Sequence, residues 1–189
     1  MKKVIKWTII IFGLLIILAL IYSNDEDKKE QSSTTKEIPK KIESKYQNYK
    51  TLAMFDNFES ELLSLFKQLD IYYQTENSPL KDNTPRKLYK AKTVTLEVIG
   101  NPEIKEASVI FFPSPNPNEN LDSLSFSHSA FKVLCNQENN QNKTKIFTKN
   151  LNDSIKNFTD KNFDVLPCKI TIKSGGKDFP MWVVSYVAK

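Results

Sequence analysis

Histidine occurs once in this sequence, at His128, and cysteine twice, at Cys135 and Cys168. Two thiols and one distant imidazole cannot close a four-ligand shell, so no metal site is expected. Acid–base or nucleophilic catalysis through histidine would have to use His128. Glycine is scarce as well, with four in 189 residues. The phosphate-cradling G-x-x-x-x-G-K and the nucleophile elbow G-x-S-x-G are both absent. The pair Gly175-Gly176 has no helical pattern behind it and reads as a turn. No cofactor is expected. Arginine is nearly missing too: among 27 basic residues only Arg86 is an arginine. Lysine in place of arginine, with abundant asparagine, is what AT-rich codons favour and points to a low-GC bacterial genome.

The net charge of +5 is unevenly placed. Residues 1–22 hold Lys2, Lys3 and Lys6 and no acid, residues 23–45 balance six lysines against six acids, and residues 46–189 carry 18 basic and 16 acidic residues. The globular part is therefore close to neutral. A nucleic-acid-binding domain concentrates a far stronger basic footprint, so nucleic acid is not an expected partner.

What is present, and dominates the N-terminus, is an uncharged apolar run from Trp7 to Tyr22. A helix apolar all the way round belongs in lipid, because no soluble surface can cover it. Sixteen residues at about 1.5 Å each give roughly 24 Å. Adding Val4 and Ile5, with Lys6 reaching toward the headgroups, extends the span to about twenty residues, the length a bilayer needs. Trp7 and Tyr22 stand at its two ends, where aromatic rings favour the interface. Residues 4–23 are thus expected to partner the membrane. The competing reading is a cleaved signal peptide, which would leave the domain secreted, but no A-x-A site follows the run. No cysteine near position 23 offers a lipoprotein anchor. A short basic N-terminus before the span is the ordinary form of a signal-anchor, which places the domain outside the cytoplasm.

Three segments follow: an anchor at 1–22, a tether at 23–45 and a globular domain at 46–189. The tether is expected to be disordered, because residues 24–36 contain no apolar side chain to offset the entropy of ordering. In the domain, Phe55, Phe58, Leu62, Leu65, Phe66 and Leu69 recur at three and four, predicting a helix over about 52–69. Val94, Leu96 and Val98 alternate with polar residues, predicting a strand over about 88–99. Gly100-Asn101-Pro102 breaks it, and residues 107–112 form the second strand of a hairpin. Over residues 119–137, Leu121, Leu124, His128, Phe131 and Cys135 fit a helical face while Leu124, Phe126 and His128 also alternate as in a strand; helix is favoured because Asn118 and Asn120 can cap it. Phe147, Leu151, Ile155 and Phe158 mark another helix, and residues 168–173 and 181–187 a second hairpin. The order α-β-β-α-α-β-β predicts an α+β fold with helices on one face of an antiparallel sheet.

The stretches Leu96-Glu97-Val98-Ile99-Gly100-Asn101-Pro102-Glu103, Ala107 to Ser114 and Lys169-Ile170-Thr171-Ile172 carry a resemblance. Over about residues 50–188 the chain resembles a scattered group of small bacterial proteins in which a tether or zinc ribbon precedes such a domain. That resemblance implies an α+β fold and an envelope setting, and brings no catalytic residues with it.

Candidate sites are few. Cys135 and Cys168 both fall on apolar faces; in an exported domain they are expected to form a disulfide, and in a reducing compartment two buried thiols. His128, on the apolar face of its helix, reads as a packed residue holding one hydrogen bond. Lys81, Arg86, Lys87, Lys90 and Lys92 gather positive charge between the first helix and the first strand. They read either as a contact for anionic lipid or an anionic envelope polymer, or as a solvated strand edge. Carboxylates are scattered and form no dyad. The expected function is a membrane-tethered, extracytoplasmic binding or interaction module of the cell envelope, with a protein or an anionic polymer as its partner. The alternatives are a cell-envelope hydrolase, or an immunity or phage-related protein acting at the membrane.

Overall fold

The computed structural model describes residues 44–189. The apolar run and all but the last residues of the tether lie outside them. Among the described residues no helix is long and apolar enough to cross a membrane.

The chain forms β1 (Ala53–Met54), α1 (Phe55–Gln68), β2 (Gln74–Asn77), β3 (Arg86–Lys90), β4 (Val94–Ile99), β5 (Glu103–Ile104) and β6 (Glu106–Phe111). After these come α2 (Pro117–Cys135), α3 (Gln141–Asn157), β7 (Lys161–Val165), β8 (Cys168–Ser174) and β9 (Trp182–Ala188). Seven strands make one antiparallel sheet in the order β2-β3-β4-β6-β9-β8-β7, and β1 pairs with β5 in a separate ribbon. The described residues form an α+β fold, with three helices and an antiparallel sheet.

Period-two alternation sorts the strand side chains between two faces. One face presents Tyr89, Val94, Leu96, Val98, Ala107, Val109, Phe111, Ile170, Ile172, Val184 and Tyr186, all buried. Against it lie Phe58, Leu62 and Phe66 of α1, Phe126, Ala130 and Phe131 of α2, and Phe147 and Leu151 of α3. The rings interlock: Phe66 packs on Phe126 at 4.4 Å, and Phe131 stacks on Phe147 at 4.2 Å. Tyr186 is wholly buried, yet its hydroxyl donates to the Ser127 carbonyl at 3.0 Å, so the core keeps no orphan there. Trp182 stacks on Phe111 and packs against Phe158, and its Nε1 is buried with no acceptor among the described residues.

Several sequence expectations need correcting. Residues 88–99 are two strands, not one: Ala91-Lys92-Thr93 forms a tight turn, closed by Ala91 N–H donating to Val94 O at 2.9 Å. That turn holds no glycine, proline or asparagine, so nothing in its composition announced it. The edge strands β2 and β7 were not foreseen. All four residues of β2 are exposed, so it has no apolar alternation to read. The cap of α2 is Asn116, whose side chain accepts from Asn118 N–H, while Asn120 instead bonds Ser114 N–H and O. The break at Gly100-Asn101-Pro102 holds. Gly100 sits at φ +104, and a Cβ there would fall 2.1 Å from the Glu103 carbonyl oxygen, so only glycine fits.

Residues 44–50 precede the first strand and belong to the same folded unit. Tyr46 is buried, its hydroxyl near Lys45 with Glu97 and Glu106 close by. Glu106 pairs across the sheet with Ile99, which is also buried although neither it nor Tyr46 joins the main core. The entering chain therefore packs on the sheet's second face, away from the helices. Ser44 Oγ hydrogen-bonds Thr84 Oγ1 at 2.7 Å, and Lys50 Nζ donates to Lys189 O at 3.0 Å.

Candidate functional site

Cys135 ends α2 and Cys168 begins β8, and the two are disulfide-bonded with Cα atoms 5.5 Å apart. Both residues are buried. Cys168 shares the inward face with Ile170 and Ile172, and the last turn of α2 lies over that face, so the register brings the sulfurs together. The bridge ties the central helix to the sheet across 33 residues of sequence that include all of α3.

The five basic residues singled out in the sequence do not share one surface. Adjacent strand positions point to opposite faces, so Lys87 turns toward the helices while Arg86 and Lys90 turn away. Lys87 and the Tyr89 hydroxyl both donate to Glu59 Oε1, at 2.5 and 2.7 Å. Arg86 binds Glu97 at 3.2 Å and also donates to the Ser78 carbonyl and hydroxyl. Lys90 pairs with Glu76 and Lys92 with Glu119. Lys81 stands exposed in the β2–β3 connection. Four of the five cations are thus matched by a carboxylate already in the fold.

Electrostatics around Glu59 follow from this geometry. Burial pushes its carboxyl up, but the hydrogen bonds from Lys87 and Tyr89, with the Lys87 charge, outweigh burial and hold it below the ordinary value. Tyr89 is buried and donates to an anion, and both effects drive its phenol far above the usual range. Glu59 lines a hollow of about 430 Å³ with Asp56, Asn77, Lys87 and Asn101. Its Oε1 is engaged by two donors from β3, so the cluster behaves as a brace between α1 and β3.

His128 lies between α2 and α3. Its Nδ1 donates to the Leu124 carbonyl at 3.0 Å, and Nε2 meets Thr148 Oγ1 at 3.1 Å. Its ring packs edge-on against Phe147. Both nitrogens therefore have partners, one more than the sequence led us to expect. Among the described residues no group of three histidine, cysteine or acidic side chains is placed to hold a metal ion.

Sequence reasoning missed a groove between α1 and α2. A hollow of about 310 Å³ is lined by Leu65, Leu69, Leu121, Leu124, His128 and Lys132, with Leu69 and Leu121 more than half exposed. A signal for it exists: α1 buries Phe55, Phe58, Leu62 and Phe66, so Leu65 and Leu69 are surplus to the buried stripe. Compared with protein-family models, with curated proteins and with solved structures, the chain matches none.

Proposed function

We propose that this chain is a membrane-tethered, extracytoplasmic binding module of the bacterial envelope. Residues 4–23 anchor it as a transmembrane helix, a tether follows, and residues 46–189 present the binding surface. The observation that carries this reading is the Cys135–Cys168 disulfide. Structural disulfides persist in oxidising compartments and are rare in the cytosol. An apolar run of membrane length ahead of a disulfide-bonded domain is the arrangement that export produces. Binding is favoured over catalysis because the two groups best suited to acid–base work are engaged within the fold: His128 has partners on both nitrogens, and Glu59 accepts from Lys87 and Tyr89.

Fusion of alkaline phosphatase after residue 189 tests the placement, since that enzyme needs its own disulfides. An active fusion, with a dark cytoplasmic fluorescent reporter at the same position, is the expected outcome. A fluorescent reporter with inactive phosphatase would place the domain in the cytoplasm and end the proposal.

A further inference from the structure

A run of unpaired positive charge lies where the sequence did not direct attention, on α3. This helix carries Lys143, Lys145, Lys149 and Lys156 against a single acid, Asp153. Lys143 is paired with Glu138. Lys145, Lys149 and Lys156 are all exposed, and no carboxylate forms an ion pair with any of them among the described residues. With Asn152 they stand at i, i+4, i+7 and i+11, one solvent-facing stripe opposite the buried Phe147, Leu151 and Ser154. Ile146, 44% exposed, lies beside the stripe.

The opposite charge sits on the other side of the helical layer. α1 holds Asp56 and Glu61 against Lys67, its third acid Glu59 being matched by Lys87. α3 packs over β7 and β8, α2 over β4, β6 and β9, and α1 braces β3 through Glu59. A negatively charged plane would attract the α3 edge and repel the α1 side, which selects one orientation rather than mere attraction.

We infer that the α3 stripe is a docking surface for an anionic lipid bilayer, with Lys145, Lys149 and Lys156 as its contacts. The inference rests on the tethered reading above for the nearness of the membrane. A chain of residues 23–43 with the dimensions of a flexible linker would span about 25 Å on average, which keeps the domain in the neighbourhood of the headgroups. Lysine near an anionic membrane surface strengthens binding about fivefold per residue, and the attraction fades within a screening length of about 8 Å at physiological salt. Lysine ammonium groups would meet lipid phosphates while their stems and Ile146 lie against the interface. The docked state would turn the α1–α2 side outward, toward any third partner.

The test uses the full chain reconstituted in vesicles of phosphatidylcholine, with or without phosphatidylglycerol. Amine acetylation is read lysine by lysine by mass spectrometry, with exposed Lys81 as the internal reference. Lys145, Lys149 and Lys156 should be protected severalfold in the phosphatidylglycerol vesicles alone. That protection should vanish in 1 M salt, where screening shortens to about 3 Å. In the K145Q/K149Q/K156Q variant, Ile146→Cys should become equally reactive to a maleimide in both vesicle types, whereas in the otherwise unchanged chain it should be shielded by phosphatidylglycerol. Equal labelling of the stripe in both lipids overturns the inference. So does protection that appears only when an anionic phosphodiester polymer is added to phosphatidylcholine vesicles, which would assign the stripe to an envelope polymer. Failure of the anchor shows separately, as loss of flotation with phosphatidylcholine vesicles in 1 M salt. In that case binding to phosphatidylglycerol vesicles at low salt, lost in the K145Q/K149Q/K156Q variant, would still support the stripe.

Discussion

Glu106 ends up on the uncovered side of the sheet at the corner where the entering chain packs, and its carboxyl is half buried there. Burial raises its pKa above the ordinary 4.5, Lys45 opposes that, and the neighbouring Glu97 adds to it. A carboxyl whose folded pKa exceeds its unfolded one holds its proton more tightly in the folded chain. Stability is then lost as pH rises from the unfolded value through the folded one, and the penalty is fully present at neutral pH. Replacing Glu106 by Gln removes the penalty. We expect E106Q to be more stable than the wild-type chain at pH 7, by less than about 1 kcal/mol because solvent screens the half-exposed group. The two curves should converge below pH 4.5, where both side chains are neutral. Urea midpoints across pH check this, and a variant less stable at neutral pH contradicts it. Glu59 runs the other way, since its held-down carboxyl contributes at neutral pH and loses that contribution on acidification. None of this was legible in the sequence. Glu59 and Lys87 are 28 residues apart, and only the α1–β3 contact makes them a pair.

The helices and the central strands could be read because their apolar spacing is regular; what escaped lacks spacing. β2 is four exposed polar residues held by main-chain pairing to β3. In α2 the pattern is blurred by serines: Ser123, Ser127 and Ser129 are buried, and Ser123 and Ser127 return their hydroxyls to carbonyls four residues back. The pairing of Cys135 with Cys168 was legible because both positions could be assigned inward faces of two packed layers. This bridge also gives the prediction proper to elements. Constraining the unfolded chain over a loop of this length is worth about 4 kcal/mol in the entropic model. Reduction should therefore lower the urea midpoint by that equivalent, and C135S/C168S should match the reduced protein. A reduced chain of unchanged midpoint would mean that α2 is held to β8 by packing alone.

At the scale of the whole molecule, the sheet has two unlike sides. One carries the three helices of the described residues and nearly all of the core; the other is bordered at one corner by residues 44–50 and mixes small or aliphatic side chains such as Ser108, Ile110, Val183 and Val187 with charged ones such as Arg86, Glu97 and Lys169. Ser108 and Ser185 bond each other across it at 2.8 Å. The sequence placed the start of the domain at about residue 46, and Tyr46 is the first buried side chain among the described residues. Tyr46 is 5% exposed and meets Tyr49 edge-on at 5.3 Å, and Lys45 lies over its ring. Removing this segment would take away the buried Tyr46 ring and free the Lys189 carbonyl that Lys50 binds. Burying one large side chain is worth about 2 kcal/mol. A chain beginning at Thr51 should thus be less stable by about that amount than one beginning at Ser44, and the two should share the same disulfide. Mutation of Tyr46 to Ala in the longer chain should recover most of the difference, since the tyrosine makes the buried contact. Equal urea midpoints for the two chains would show that the segment only lies against the sheet, and the domain would then begin at β1.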